Sequence, residues 1–348
     1  TSGINNLAIG NNAGLGLVDG TYNLLFGKDA GKCVTSGSNN IFFGGNGPGH
    51  GTASGVTGSH NYAGGYHASC FITSGSYNIA LGKFAGKCIT TGSRNIAFGV
   101  NALCGGNVTG SNNVAIGMYA GQKVTSGSCN IAIGEKAGRC VSGSCNIAIG
   151  CNAMNCGAGH DNIAIGNITM KCLSSGERNI AIGKYTMQCI TTGDKNVGLG
   201  HCALALATFT GDQNVAIGLY AGQVATSASY NNIMGSVAGQ CLTTGCFNVF
   251  IGNAAGRNTT TGTRNIAIGC AVCLPTPGGD HQMAIGAGTT MWVTGDNSFN
   301  VGIGTTTLLS KLTVAGGACI TGVITASNFA KADGSSLGGF SADSQENL

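Results

Sequence analysis

One short phrase recurs along most of this chain: an asparagine, three apolar or small residues, and a glycine four positions after the asparagine. Its asparagines are Asn6, Asn23, Asn40, Asn61, Asn78, Asn95, Asn113, Asn130, Asn146, Asn162, Asn179, Asn196, Asn214, Asn231, Asn248 and Asn265, with Gln282 in the seventeenth place. Most spacings are 17 residues, a few are 16 or 18, and one of 21 marks an insertion between Gly44 and Ser59. The glycine is present in every copy, from Gly10 to Gly286. A repeat of this length carries only about three apolar side chains to bury, which does not offset the entropy of ordering its backbone. It therefore has to stack on its neighbours, each copy covering the apolar row and the backbone hydrogen-bonding groups of the next.

Within the phrase, Ile-Ala-Ile alternates as a strand does, with β-branched residues on one face and a small residue on the other. A second stretch such as Lys87-Cys88-Ile89-Thr90 reads as another short strand, and Ser-Gly or Thr-Gly pairs close the coil. The expected fold is all-β, a parallel β-solenoid (β-roll) of about seventeen 17-residue coils over residues 1–297, roughly 80 Å long at ~4.8 Å per coil. A short β stem over 298–330 follows, built on Lys311–Val314 and Cys319–Ala326, and then a Gly/Ser-rich linker or the start of a further segment over 331–348. The opening Thr1-Ser2-Gly3-Ile4 reads as the end of a repeat, so a processed or excerpted piece is expected.

Composition closes off other classes. Glycine reaches 63 residues without the three-residue period and abundant proline of collagen, and 43 % hydrophobic content with a net charge of +4 does not suit a disordered chain. The 16 basic residues are scattered, so nucleic acid is not an expected partner, and no apolar run is long enough for membrane insertion.

Three columns are candidates for structural roles. The amides of Asn78, Asn95, Asn113, Asn130, Asn146, Asn162, Asn179 and Asn196 are expected to bond to their copies above and below, at a partly buried corner. Gly82, Gly99, Gly117, Gly134, Gly150, Gly166, Gly183 and Gly200 are expected at tight corners. Cys140, Cys156, Cys172 and Cys189 fall ten residues after the asparagine in consecutive coils. Two readings of that row stay open: small apolar filling for a thin core, or rung-to-rung disulfides, since neighbouring coils sit within disulfide reach.

Repeats of the form Asn-Ile-Ala-Ile-Gly, two variable residues and Ala-Gly, clearest at Asn113–Gly121 and Asn130–Gly138, resemble the head repeats of YadA-type trimeric adhesins. The longer Thr-Ser-Gly-Ser-Asn-Asn-Ile versions with cysteines, and the run Asn300–Thr306 leading into Lys311–Val314, resemble virion structural proteins and tail fibres of tailed phages, particularly of cyanophages. The adhesin family's unit is shorter, near fourteen residues, so the coil shape is open to difference. These resemblances imply a left-handed roll and a homotrimer. They also imply a virion location, with other virion or fibre proteins as partners and any cell-surface glycan or receptor bound outside this segment.

Other sites are weak. Cys270-Ala271-Val272-Cys273 stands alone as a metal motif, His50, His60 and His67 gather near the insertion as surface residues, and no cofactor is expected. Asp161, Glu177, Asp194 and Asp212 sit in turns just before the asparagine, a placement for solvated polar groups rather than a catalytic pair, so no enzymatic role is expected. The expected role is a rigid fibre or spike component of a phage virion. The alternative is a microbial surface adhesin or self-assembling extracellular filament, and ice binding by threonine rows is a weaker third.

Overall fold

The computed structural model describes residues 2–47, 49–50, 55–206 and 208–316; the expected strand Cys319–Ala326 and the 331–348 segment lie outside the described residues. The fold is an all-β parallel solenoid with no helix among them. Seventeen short strands, from Leu7–Ile9 to Met283–Ala287, stack one per coil with consecutive strands parallel. Equivalent residues pair at every step, as in Ile147 against Ile131 and Ile163, and Ala148 against Ala132 and Ala164. The 21-residue coil keeps this register, pairing Ile41 with Tyr62, because its extra residues are accommodated away from the strand.

The core is three columns of small or branched side chains. From the second coil on, the middle residue of each stacked strand points inward and is buried, as at Ala80, Ala97, Ala164 and Ala181. A second alanine column five residues on, including Ala85, Ala102, Ala137 and Ala153, faces it, and Ile72, Ile89, Val124, Val141 and Ile190 close the third side. Packing between the columns is close: an added Cβ at Gly256 would lie 2.5 Å from the Phe250 ring, and one at Gly198 would meet the Cε of Met187, in the preceding coil, at 2.9 Å.

Two expectations change. The second stretch of each coil is turn rather than regular strand: only Cys140–Val141 and Cys156–Gly157 form a two-residue ladder, and elsewhere isolated bridges such as Ile89 to Val108 remain. A turn precedes this stretch, since residues six after the asparagine take φ near +57°, as at Phe84 (59°), Tyr119 (60°) and Lys136 (56°). The parallel stack also ends earlier than residue 297. After Met283–Ala287 the chain turns at Gly288 and returns as Thr290–Gly295, antiparallel, and Val301–Ile303 then pairs antiparallel with it. Leu312–Val314 adds parallel to Val301–Ile303, so the segment after 297 extends the same sheet.

Candidate interaction face

Because the middle residue of each strand faces the core, its two neighbours face out. Along seventeen strands this produces two columns of outward side chains, running Leu7 and Ile9, Leu24 and Phe26, through Ile180 and Ile182, to Met283 and Ile285. No charged residue interrupts either column, and the departures from large apolar or aromatic residues are Gly64 and Asn232. Although each side chain is flanked by its own copies above and below, Phe98 remains 53 % exposed and Ile116 and Ile182 about 40 % (38 % and 40 %). A contiguous apolar face of this extent is far larger than the few hundred Å² that a monomeric surface carries.

At the edge of this face the asparagine column forms a continuous ladder, and its members are buried rather than at a half-exposed corner. The Asn162 backbone N–H and Nδ2 both donate to Asn146 Oδ1 at 3.0 and 3.2 Å, and Asn162 Nδ2 also donates to the Gly176 carbonyl at 2.9 Å. The same triad of bonds recurs at Asn78, Asn113, Asn130, Asn146, Asn179 and Asn196, while Asn95 keeps its backbone bond to Asn78 and its amide bond to Gly110. Each amide thus satisfies two neighbouring coils with one side chain, which a longer or a charged residue does not do. Gln282 ends the ladder: its backbone N–H still donates to Asn265 Oδ1, but its side chain folds back to exchange bonds with Thr276.

The corner glycines Gly82, Gly99, Gly117, Gly134, Gly150, Gly166, Gly183 and Gly200 have φ between +124° and +137°. They stack backbone on backbone, so that a Cβ at Gly150 would lie 2.5 Å from the Gly166 carbonyl oxygen.

A further ladder escaped the sequence reading. In most coils the residue two before the asparagine uses a side-chain acceptor to receive the backbone N–H of its counterpart in the preceding coil: Ser76 N–H donates to Ser93 Oγ, Ser93 to Ser111 and Ser111 to Ser128, each at 3.0 Å. Asp194 and Asp212 belong to this column. The Glu177 N–H donates to Asp194 Oδ1 and the Asp194 N–H to Asp212 Oδ1, both at 2.7 Å, so these carboxylates act as coil-to-coil links. The signal available in the sequence was the recurrent Ser-x-Asn, whose serine alternates with Asp and Thr, the residues that accept such bonds.

The cysteine row departs from the core-filling expectation. Position ten after the asparagine points outward, with Cys156 and Cys172 exposed and Cys140 and Cys189 partly so, because the core is filled from the next position by Val141 and Ile190. Among the described residues no group of three or more His, Cys, Asp or Glu side chains is arranged to hold a metal ion. The histidines divide between two places: His50 and His67 meet edge to face at 6.5 Å, with His50 Nε2 3.9 Å from Asp29 Oδ2, while His60, just before Asn61, stacks on Tyr77 at 4.7 Å. No protein-family model matches the chain, and no curated protein sequence matches it.

Proposed function

We propose that this chain is the rod of a homotrimeric fibre or spike, in which three solenoids pack their apolar strand faces about a common axis, and that the fibre belongs to a phage virion. The uninterrupted outward columns carry this reading. Two columns along roughly 80 Å, with a width of about 10 Å, amount to some 800 Å² per chain, shared between two neighbours, so the three chains together bury about 2,400 Å², the scale of a stable assembly. A copy of the same chain is the partner whose rungs repeat at the same spacing, so its side chains interdigitate at every level; an unrelated globular protein has no such period. Symmetric association also removes the face from water without creating a new one.

The role is mechanical: to hold a recognition element away from a particle. Long hydrogen-bonded ladders suit it, since each coil is tied to the next by the strand and the asparagine, and most also by a serine-type acceptor. The resemblance of the repeats to adhesin heads and phage fibres supports the same reading and the virion location.

Native mass measurement tests it. The unmodified chain is expected at the mass of three chains, whereas the double variant Ile116→Lys, Ile182→Lys is expected at the mass of one, with an unchanged β-type circular dichroism spectrum because both side chains lie outside the core. Three lysines brought together at each of two levels cannot be desolvated. A single-chain mass for the unmodified protein would sink the assembly.

A further inference from the structure

The repeat places four pairs of cysteines in identical register on adjacent coils, one of which, Cys156 with Cys172, shares a member with each of two others. The strand pairing Ile131 to Ile147 sets Cys129 opposite Cys145, each two residues before its strand, and Cys140 opposite Cys156, each nine after the first strand residue. The latter two are themselves ladder partners in the short second sheet. The pairing Ile163 to Ile180 likewise sets Cys172 opposite Cys189. In Cys129–Cys145, Cys140–Cys156 and Cys172–Cys189 the two thiols are near enough for one to help keep the other protonated. Laddered neighbours lie about 4.8 Å apart at Cα, inside the range of about 4.4–6.8 Å that a disulfide spans. One member of each pair at least is exposed to solvent, so a small oxidant reaches it. Other cysteines differ: Cys33 faces His50 and Cys241 faces Asn258 at the equivalent place, while Cys88 and Cys104 are offset by one residue.

We propose that Cys129–Cys145, Cys140–Cys156 and Cys172–Cys189 are oxidation sites that close as rung-to-rung disulfides, stapling the coil of Asn130 to that of Asn146 at two corners and the coil of Asn162 to that of Asn179 at one. The reaction is thiol–disulfide exchange with a small-molecule disulfide. One protein thiolate attacks it, forming a mixed disulfide and releasing one small thiolate. The neighbouring protein thiolate then attacks the protein sulfur of that mixed disulfide and releases the second. The oxidant takes up two electrons, and the two thiol protons pass to the released thiolates. The staples matter because coils of a solenoid are joined only to their neighbours and open locally. A covalent link across a coil boundary prevents that boundary from parting while leaving the apolar face unchanged.

Burial, and then the contact with Cys140, pushes the Cys156 thiol up to about 11; burial and the neighbouring thiol raise Cys145 and Cys189 in the same way. Closure is therefore slow at neutral pH, and its rate rises about tenfold per pH unit while the attacking thiol remains mostly protonated.

The full chain, incubated with oxidised glutathione, denatured and alkylated without reductant, is analysed by peptide mass spectrometry. Expected are three cross-linked peptide pairs, 129 with 145, 140 with 156 and 172 with 189, with Cys33 and Cys241 alkylated. In the variant Cys156→Ser, Cys140 becomes alkylatable while the other two links persist, and this outer-surface change leaves the coil intact. Full alkylation of the six cysteines, stable glutathione adducts on them without closure, or links to other cysteines would each overturn the proposal.

Discussion

Replacing Gly150 by alanine is expected to destabilise the middle of the rod by about 4 kcal/mol, combining an L-residue held at a glycine-only conformation with overpacking against backbone. Gly150 has φ of +124°, and its new methyl group would lie 2.5 Å from the Gly166 carbonyl oxygen and 2.7 Å from the carbonyl carbon. A side chain can rotate away from such a contact, but the neighbouring coil is backbone held at strand spacing on both sides. Relief requires the two coils to separate, which breaks the pairing of Ile147–Ile149 with Ile163–Ile165. Gly45 supplies the control. It has no atom within 4 Å of a would-be Cβ, so Gly45→Ala is expected to leave stability unchanged or slightly raised. Thermal unfolding followed by circular dichroism, with amide exchange to locate the opening, measures both. Equal effects at the two sites would show that the corner glycines are not held by stacking.

Asn146→Ala is expected to cost about 3–4 kcal/mol, because it leaves two buried backbone groups without partners at roughly 1–3 kcal/mol each. The Asn162 N–H loses Asn146 Oδ1, and the Gly159 carbonyl loses the Asn146 Nδ2 donor. Asn146 is 1 % exposed, so water does not replace the amide without opening the coil. The loss falls on one boundary of a one-dimensional stack, and the amide of Asn162 is expected to lose exchange protection while distant coils such as that of Asn248 keep theirs. Serine at the same place shortens the acceptor's reach and is not expected to restore the bond. Uniform loss of protection along the rod would mean that the coils unfold as one unit and that the ladder is not locally decisive.

The repeat made the fold legible because each asparagine and glycine does the same task in every coil. An asparagine whose amide bonds its own copy, and a glycine whose neighbour above is another glycine backbone, have to recur at the coil period. The inward and outward positions were half legible. Ile147-Ala148-Ile149 announces a strand with two faces, but burial of the alanine rather than the isoleucines follows from the width of the coil, in which a second alanine wall at Ala153 faces the first. The cysteines stayed open between core filling and coil-to-coil pairing for the same reason: in those coils positions ten and eleven both carry small or apolar residues, and only the turn geometry decides which points inward. The residue before each asparagine was not legible at all. Tyr77 (φ 60°), Arg94 (56°), Cys129 (61°) and Lys195 (56°) occupy the left-handed region without being glycine, at a cost of about 1–2 kcal/mol each. Local preference argues against that conformation. It is held because the turn sends successive N–H groups to different coils, as when the Ser93 N–H donates to Ser111 Oγ of the following coil and the Arg94 N–H to the Ser76 carbonyl of the preceding one.

What the residue order determined alone is the period, and through it the stacked parallel architecture, since a unit too small to bury its own core has no other way to satisfy its backbone. What the tertiary structure decided is which side of each strand meets water. That choice depends on the diameter of a closed coil, a property of some seventeen residues acting together, and it turned the largest side chains into an outward face and the cysteines into neighbouring pairs on the surface.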